Sequence, residues 1–567
     1  MNLKSAIPVR NHATETIHFP LASSWLKGVP ILVFLFFALV YSSLRSKELF
    51  SADGNYRCFE VYQRKALFFH SNNHMLYPVD VLMWTRWASA FGTSGYEPLQ
   101  FFSIVETMNC LAGAGCLTIL YLLTYLVNDS WFSALMITIG CGLSRSFIGQ
   151  ATGANEPMVA VFWSFLAVLF AALTLKVKSL LPAMASGLLF SVAMATYQSM
   201  VLLAPAGLFL TCQTQSRRWP RIGAFVLSGF AGCVSIYAWA YWHLGIRTIP
   251  AMIRHFFVHD EGRAFISLTV GKVLTVPIGM VSSVFPVLHY VDFRGLRGLL
   301  AAHSLSAISF IVLPVVLCAF LAFGVVHVYK RWEHVRPSAR IGLLAATLGF
   351  AFTLVPLIIW DPIYDKLWIE PLACLSVLLA IALSAIPRSA GRLFVLLRVV
   401  SALLLIGTFS NLVWAVRYHS QWTPEMDQAR RLAGMIGSKD LLIGDWDPVS
   451  TLYSSIWVDD RPTEESDRYR SVWAENEHFV SFTTQATIYG IRIMPRLRDA
   501  IAKSKRNGGS IFFLNLLDES RPTWDSFFDK RCGVPYSEMQ LYRDRSAVRA
   551  HFQVRSGIVI LRQFKEP

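Results

Sequence analysis

The apolar positions of this chain gather in long runs, and short polar segments that carry much of the Lys and Arg separate them. Most runs approach the ~20 residues that an α-helix needs to cross a bilayer. They recur from residue 28 to residue 416 and then stop. The pattern predicts about eleven membrane-crossing helices: Gly28–Leu44, Phe101–Val127, Trp131–Ile148, Pro157–Leu175, Leu180–Thr196, Met200–Thr211, Ile222–His243, Ser304–Tyr329, Ile341–Trp360, Leu367–Ile386 and Leu393–Val416.

Two apolar segments differ from a simple span. Met200–Thr211 is short, and it follows the polar break Thr196-Tyr197-Gln198-Ser199, so we expect half of a broken or tightly turned helical hairpin. Leu268–Val291 is only weakly apolar and contains Pro277 and Pro286, which favours an interfacial or re-entrant segment. Whether this second segment crosses the bilayer stays open at this stage.

The positions of the basic residues predict the orientation. Cytoplasmic loops of membrane proteins are enriched in Lys and Arg. All the basic clusters can lie on the cytoplasmic side only if Leu268–Val291 does not cross the bilayer. The amino terminus is then cytoplasmic, and the first loop, 45–100, is external. The clusters assigned to the cytoplasm are Lys176 with Lys178, Arg217 with Arg218 and Arg221, Lys330 with Arg331, Arg336 and Arg340, and Arg388 with Arg392.

After residue 416 the composition becomes that of a water-soluble domain, with charges of both signs and short apolar runs. Helix-length and strand-length segments alternate there, which predicts a small α/β domain with a largely parallel sheet. We therefore divide the chain into a cytoplasmic segment, 1–27, an α-helical polytopic membrane domain, 28–416, and an external α/β domain, 417–567. The expected elements of the last part are helices Glu425–Ile436, Ile488–Lys505 and Trp524–Arg531, strands Asp440–Asp445, Val480–Thr483 and Ser510–Leu516, and a closing strand or hairpin, Phe552–Gln563.

The composition supports a membrane protein: 54% of the residues are hydrophobic, 15% are charged and the mean hydropathy is +0.46. A net charge of +15 is also compatible with nucleic-acid binding, but most Lys and Arg residues flank apolar runs. Positive-inside topology and anionic lipid headgroups account for that placement, so we expect membrane lipids as partners and no nucleic acid. The nine cysteines are scattered without a CxxC pair, and the tail has neither a GxGxxG nor a Walker motif.

Candidate chemistry lies in the loops on the predicted external face. Asp53 and Glu60 follow the first span, Glu156 opens the fourth, and Asp361 and Lys366 stand in the segment WDPIYDKLW. Acids at a membrane edge are costly unless they are paired or hydrated, so their placement on one face indicates a shared cavity. One carboxylate there could deprotonate an acceptor hydroxyl, and a cation could neutralise a phosphate leaving group.

Each of these residues also has an ordinary interpretation. Asp53 could cap a helix or stand in solvent, Glu60 could pair with a neighbouring Arg, and Asp361 before a proline could simply start a helix. His70 and His74 are spaced i,i+4, which could bring two imidazoles together on a metal. No third ligand is near in the sequence, so we favour hydrogen bonds to acceptor or phosphate and expect neither metal nor cofactor; a divalent metal stays an open alternative.

The layout resembles that of GT-C-type membrane glycosyltransferases, the class of protein mannosyltransferases, lipid A aminoarabinose transferases and oligosaccharyltransferases. The shared features are an acid soon after the first span (Asp53), a long external loop ending in Tyr77-Pro78, an acid opening the fourth span (Asn155-Glu156-Pro157) and a soluble domain after the last span. The chain departs from the class in having no Asp-Glu pair or DxD in the first loop and no WWD motif in the tail. Oligosaccharyl transfer is therefore disfavoured.

The resemblance implies transfer of a sugar from a polyprenyl phosphate or diphosphate carrier to an acceptor on the external face. It matches Asp53 to the catalytic base and makes Glu156 a second acid that orients acceptor or metal. Lys366 or Arg145 would meet the carrier phosphate. The other residues expected to contact substrate are Glu60, His70, His74, Tyr77 and Asp361.

The resulting hypothesis is a multi-pass glycosyltransferase of the bacterial inner membrane that moves a hexose or pentose from a polyprenyl-phosphate carrier to an envelope glycan, lipid or protein. Its carboxy-terminal domain would be periplasmic. A transporter or flippase is the main alternative. That class places ionisable groups near the bilayer midplane and often shows repeated halves, whereas here the polar groups lie at the ends of the spans. A non-catalytic scaffold of an envelope polysaccharide assembly complex is the third.

Overall fold

The computed structural model of the protein describes the membrane part and the carboxy-terminal part in several stretches. Isolated residues between these stretches, among them Cys58 and Pro362, are also described. The described stretches are 28–45, 74–90, 98–213, 218–243, 245–257, 268–285, 335–359, 365–385, 392–419, 424–437, 439–444, 479–481, 493–518, 534–554 and 557–565.

The apolar runs form helices, as their lengths predict. Short 3₁₀ helices at Gln198–Leu203, Asp365–Trp368 and Leu516–Asp518 join some of them. The α-helices are, in chain order, α1 (Val29–Ser43), α2 (Tyr77–Ser89), α3 (Pro98–Asn128), α4 (Trp131–Gly142), α5 (Arg145–Thr152), α6 (Glu156–Leu173), α7 (Leu181–Thr196), α8 (Ala204–Cys212), α9 (Arg218–His243), α10 (Ile249–Phe257), α11 (Val270–Val284), α12 (Pro337–Ile359), α13 (Ile369–Ala385), α14 (Arg392–His419), α15 (Pro424–Met435), α16 (Ile493–Arg506) and α17 (Tyr536–Asp544).

In the described part of the chain, four helices are long and apolar enough to cross a membrane. They are α3, α9, α12 and α13, the last taken together with the 3₁₀ turn before it. Shorter apolar helices, including α1, α6, α7 and α11, accompany them. The predicted span Ser304–Tyr329 lies outside the described residues except for Phe323 and Val326, so that expectation remains a prediction.

The predicted span Trp131–Ile148 is two helices, α4 and α5, bent by 66°. Ser144 stands at the bend, where its Oγ accepts a hydrogen bond from the N–H of Phe147 and donates one to the carbonyl of Cys141 at 2.6 Å. Gly142 permits the turn to press against α1, because a Cβ there would lie 2.5 Å from Phe37. The Tyr41 hydroxyl completes the contact by donating to the Gly142 carbonyl at 2.7 Å. The apolar run Trp131–Ile148 is therefore helical as predicted, and the bend within it is what hydropathy did not predict.

The break predicted before Met200 is present. Tyr197 ends α7 in an extended conformation, and the chain continues as a 3₁₀ helix into the short helix α8. This turn brings the carboxyl end of α7 next to the start of α2, where the N–H of Leu76 donates to the carbonyl of Ala195 at 2.9 Å.

Helix α11 has 15 residues, so it is about 21 Å long and shorter than the ~30 Å hydrocarbon core. It packs closely on the segment between α12 and α13: a Cβ on Gly279 would lie 1.8 Å from the carbonyl oxygen of Pro362. Lys272 Nζ donates to the carbonyl of Ile359, the last residue of α12, at 2.7 Å. Trp368 Nε1 donates to Pro362 at 2.7 Å, so the start of α13 is fixed in the same place.

The carboxy-terminal region is an α/β layer with a five-stranded sheet in the order β2-β1-β3-β5-β4. The pairs β1–β2 and β1–β3 are parallel, whereas β3–β5 and the hairpin β4–β5 are antiparallel. The sheet is thus mixed rather than largely parallel. Its strands are β1 (Leu441–Gly444), β2 (Phe479–Ser481), β3 (Ile511–Leu514), β4 (Ser546–Val554) and β5 (Gly557–Phe564).

Alternate residues of β1 and β3 point to opposite faces of this sheet, so each face has its own apolar core. Leu441 and Phe513 pack with α16 residues on one face. Leu442 and Phe512 pack with α15 on the other. The chain therefore combines a polytopic helical part with a small α/β region, as the apolar pattern predicts.

Candidate active site

The sequence-predicted residues fall into three groups in the structure. His74, Tyr77, Arg145 and Lys366 are described with their side chains, and Glu156 is described as the first residue of α6 only. The remaining candidates lie outside the described residues: Asp53, Glu60, His70 and Asp361.

Tyr197 connects two of the predicted residues. The His74 ring lies against the Tyr197 ring with 4.8 Å between their centres, and Lys366 Nζ stands 5.8 Å from the centre of the same ring. His74 and Lys366 are both buried, with 7% and 6% of their surfaces exposed. An ammonium over an aromatic face is attracted by the ring quadrupole. A residue at the end of α7 thereby brings together side chains from the first loop and from the start of α13.

Arg145 begins α5, directly after the bend. Its Nη1 donates to the carbonyl of Ser282 on α11 at 3.1 Å, and its guanidinium carbon lies 5.9 Å from the centre of the Trp414 ring. Helices α5 and α11 each contact the 3₁₀ turn Asp365–Trp368, which carries Lys366. The two cations that the resemblance offers as alternatives for contact with a carrier phosphate therefore lie on neighbouring elements.

The turn between α5 and α6 places Glu156. Asn109 of α3 holds this turn, because its Nδ2 donates to the carbonyls of Gly153 and Asn155, both at 2.7 Å. Asn109 and Asn155 are completely buried or nearly so. The start of α6 is therefore fixed to α3 by a buried amide, a type of contact that is costly to lose.

Tyr77 has a packing role in the structure. It is fully buried among Val81, Phe102 and Val105, in a cluster that also includes Ala154. Its hydroxyl lies 3.5 Å from Cys58 Sγ. The side chain thus attaches α2 to α3 and to the turn before α6.

The structure adds Asp80, which sequence reasoning did not single out. Asp80 lies in the first turn of α2, where the helix dipole stabilises a negatively charged carboxylate. Thr196 Oγ1 lies 3.5 Å from Asp80 Oδ2 and 2.9 Å from the carbonyl of Val192. Loss of surrounding water raises the pKa of Asp80 to about 7, and the Thr196 hydroxyl opposes part of that rise. Asp80 therefore contacts the residue that precedes Tyr197 in the sequence, and Lys366 faces the ring of Tyr197.

Two further buried acids were missed. Glu106 of α3 has 6% of its surface exposed and lies in the electrostatic field of Arg45, whose Nη1 donates to Ser103 Oγ at 2.9 Å and Thr107 Oγ1 at 3.0 Å. Glu370 accepts a hydrogen bond from Ser164 Oγ at 3.2 Å. An acid inside an apolar run was the available sequence signal for both, because such residues are rare in spans and mark functional or paired positions.

The arrangement can support transfer from a phosphate-bearing donor. Two cations on contacting elements can balance the charge that develops on a phosphate leaving group. A carboxyl that titrates near neutrality can exchange a proton at physiological pH. Among the residues that the structure describes, no three His, Cys, Asp or Glu side chains group closely enough to hold a metal ion.

Comparison with solved structures identifies the architecture. Two crystal structures of ArnT from Cupriavidus metallidurans, one bound to undecaprenyl phosphate and one in the apo state, match 96% of this chain and 100% of their own. Their TM-scores are 0.55 and 0.56, at 12% sequence identity in both cases. The chain has a GT-C fold.

The similarity to ArnT covers nearly the whole length of the chain and shows its fold. At 12% identity it does not show the reaction. No protein-family model and no curated protein matches the sequence. The GT-C resemblance in the sequence is thus confirmed as a fold. The roles of individual residues remain proposals.

Proposed function

We propose that this protein is a membrane glycosyltransferase that takes a sugar from a polyprenyl-phosphate donor. The observation that carries the proposal is the placement of Arg145 and Lys366 on contacting elements, α5 and the 3₁₀ turn before α13. Helix α5 also contacts α6, which begins at Glu156, in a chain with the GT-C fold. One of the similar ArnT structures holds undecaprenyl phosphate, which is the type of carrier that we propose for this chain.

The proposed reaction is a displacement at the anomeric carbon of the donor sugar. An acceptor hydroxyl or amine forms the new bond to that carbon, and the bond from the carbon to the carrier phosphate oxygen breaks. The bonding electrons leave with the polyprenyl phosphate, and the acceptor proton passes to a carboxylate of the protein. No oxidant, reductant or cofactor is needed for this balance.

Lys366 and Arg145 are proposed to bind the carrier phosphate. Their positive charges would stabilise the leaving group more than the donor, because the negative charge on the phosphate grows as the sugar departs. Arg145 offers a planar group that can take two phosphate oxygens, whereas Lys366 acts as a point charge. The two residues are therefore expected to contribute to kcat as well as to donor affinity.

Two carboxylates are candidates for the proton acceptor. Asp53 is the residue that the GT-C resemblance favours, and it lies outside the described residues. Asp80 is the residue that the structure offers, since it titrates near neutrality beside Thr196. Glu156 is proposed as the second acid, which orients the acceptor. The envelope acceptor, the external face and the periplasmic position of the α/β region belong to the same proposal.

The test follows sugar transfer from a labelled polyprenyl-phosphate sugar in membranes that contain the full-length protein. We expect Lys366→Met and Arg145→Gln each to lower kcat/KM by about 10²-fold, in the range seen when a group that stabilises transition-state charge is removed. Lys178→Met, an exposed cation at the other end of α6, is the matched control and should keep wild-type activity. Full activity in both site variants would contradict the assignment, as would full activity in both Asp53→Asn and Glu156→Gln.

If the protein is a transporter, the same labelled donor in sealed vesicles of these membranes should behave differently. The donor should cross the bilayer with its sugar still attached, at a rate that does not depend on acceptor. Of the two described acids in apolar runs, Glu370 is the second residue of α13, whereas Glu106 is the ninth residue of α3, in the half of that helix nearer its start. This placement favours transfer at one end of the bundle over passage through it.

A further inference from the structure

Glu106 of α3 is a buried acid that lacks a partner among the described residues. It has 6% of its surface exposed, and it forms neither a hydrogen bond nor an ion pair within the described part of the chain. Its carboxyl oxygens are not completely enclosed, so a ligand can reach them. A carboxylate that loses water without gaining partners costs free energy, and an ionisable group inside a membrane-spanning segment marks a functional position. The surroundings of Glu106 therefore indicate what it binds.

Glu106 lies on the face of α3 that looks onto the candidate active site. It precedes Asn109 by one turn, and residues spaced i,i+3 are neighbours on a helix surface. Asn109 Nδ2 donates to the carbonyl of Asn155, the residue before Glu156, at 2.7 Å. The same turn ends α5, which begins at Arg145 and is about 10 Å long. A sugar that is joined to a phosphate near Arg145 is therefore of the right size to extend toward Glu106.

Arg45 stands near Glu106 without pairing with it. Its charge acts on Glu106, but no ion pair joins the two side chains. Arg45 Nε donates to the carbonyl of Ser42 at 3.2 Å. Its Nη1 donates to Ser103 Oγ at 2.9 Å and to Thr107 Oγ1 at 3.0 Å. These partners are all neutral, and Nη2 donates to none of the described residues. A cation and an acid thus lie close together, each with hydrogen-bonding capacity left over.

This arrangement selects the charge of a ligand. A carboxylate only accepts hydrogen bonds, and a guanidinium only donates them. A phosphate would pair with Arg45 but would be repelled by Glu106, and an ammonium group would be attracted and repelled in the reverse order. Such repulsion is strong where little water screens it. A hydroxyl group is uncharged and both donates and accepts, so adjacent hydroxyls of a sugar ring satisfy both side chains.

We propose that Glu106 and Arg45 form a subsite for the transferred sugar, and that they select a neutral ring over an amino sugar or a uronic acid. One hydroxyl of the ring donates to Glu106, and another accepts from Arg45 Nη2. This proposal rests on the proposed function, because the ring is that of the polyprenyl-phosphate donor. Hydrogen bonds to charged groups are the stronger kind, so the subsite adds to donor affinity beyond the contacts of the phosphate.

The experiment measures donor binding to the purified full-length protein in nanodiscs. A fluorescent nitrobenzoxadiazole derivative of undecaprenyl phosphate is displaced by unlabelled undecaprenyl phosphate that carries glucose, galactose or mannose. The reference competitor is undecaprenyl methyl phosphate, which has the same charge and no sugar. We expect the best of the three hexoses to bind at least about tenfold more tightly than the reference, as one hydrogen bond to a charged group provides. Its 2-amino and 6-carboxylate analogues should each bind about tenfold more weakly than the neutral sugar.

Two variants should change this ranking in opposite directions. Glu106→Gln leaves Arg45 as the charge of the subsite, so the ratio of carboxylate to amino analogue in the bound fraction should rise about tenfold. Arg45→Gln leaves Glu106, so the same ratio should fall by a similar factor. A loss of packing cannot produce shifts of opposite sign. The controls Asp544→Asn and Lys178→Gln remove the same charges at exposed positions and should keep the wild-type ranking.

The outcomes separate this subsite from the proposed function. If the hexoses bind no better than undecaprenyl methyl phosphate, or if the two variants shift the ranking in the same direction, the subsite is wrong while the proposed function stands. If no competitor displaces the fluorescent carrier, the proposed function fails as well. Where Glu106→Gln does not fold, Arg45→Gln decides against Arg45→Lys, which keeps the charge and should keep the wild-type ranking.

Discussion

The titration of Asp80 gives the sharpest test of the candidate site. A general base must be ionised to accept a proton, and burial raises the pKa of Asp80 to about 7. About half of the Asp80 side chains are then ionised at pH 7 and roughly one tenth at pH 6. If Asp80 accepts the acceptor proton, kcat/KM should rise with pH through an apparent pKa near this value. The rise should level off above about pH 8.

Thr196→Val perturbs this titration without touching the carboxylate. The Thr196 hydroxyl lies 3.5 Å from Asp80 Oδ2 and stabilises the ionised form, so its removal raises the pKa of Asp80 further. At this distance the hydrogen bond is a weak one, and about 0.7 kcal/mol corresponds to roughly half a pKa unit. The rate at pH 7 should fall about twofold, whereas the rate at pH 9 should remain that of the wild-type protein.

The assay measures initial transfer rates from a labelled polyprenyl-phosphate sugar between about pH 5.5 and pH 9. Thr196→Ser retains a hydroxyl and should follow the wild-type profile. Asp80→Asn should lose both the rise with pH and about 10²- to 10⁴-fold of the rate. The His74 ring also lies against Tyr197, and His74→Gln tests whether His74 causes the rise. If the rise of kcat/KM with pH persists in Asp80→Asn but disappears in Asp53→Asn, this reasoning is refuted and Asp53 is the base.

Three structural predictions concern the framework of the site. Tyr197→Leu removes the ring that Lys366 faces and should raise KM for the donor up to about tenfold, whereas Tyr197→Phe should keep most of the affinity in the same assay. Asn109→Ala removes a donor from two buried carbonyls, of which that of Gly153 keeps the N–H of Asn155, so thermal unfolding in detergent should reveal a loss of about 1–3 kcal/mol. Gly279→Ala should cost roughly 1–3 kcal/mol and lower transfer, because its Cβ would meet the Pro362 carbonyl at 1.8 Å. Gly271→Ala on the same helix meets only one atom at 3.9 Å and should be harmless; equal losses in the two glycine variants would contradict this account.

The helices could be predicted from the sequence because their signal is local. A run of apolar residues near 20 in length has few alternatives to a helix once it is in hydrocarbon. The bend in Trp131–Ile148 was missed because the run is apolar on both sides of the short polar segment Ser144-Arg145-Ser146. Ser144 caps the second helix locally, and the hydrogen bond from Tyr41 to Gly142 adds a contact between residues 101 positions apart in the chain.

The candidate site could be predicted only in part, for a similar reason. Arg145 and Lys366 carry charges at the ends of apolar runs, which is visible in the sequence. Asp80 resembles any acid in the first turn of a helix. Its pKa is raised by burial in the folded chain, and the Thr196 hydroxyl, 116 residues later, opposes part of the rise. The break at Tyr197 was predicted as a backbone feature, but the role of its ring depends on where α2 and α13 pack.

The contacts that position Lys366 and Arg145 affect how well these two cations can bind a phosphate. Tyr197 presents an aromatic face to Lys366, and Ser282 presents a backbone carbonyl to Arg145. Neither of these two partners carries a formal negative charge, so these two contacts leave the positive charge of each cation in place. Replacing Ser282 or Tyr197 by an acid should therefore weaken donor binding more than replacing it by an apolar residue of similar size.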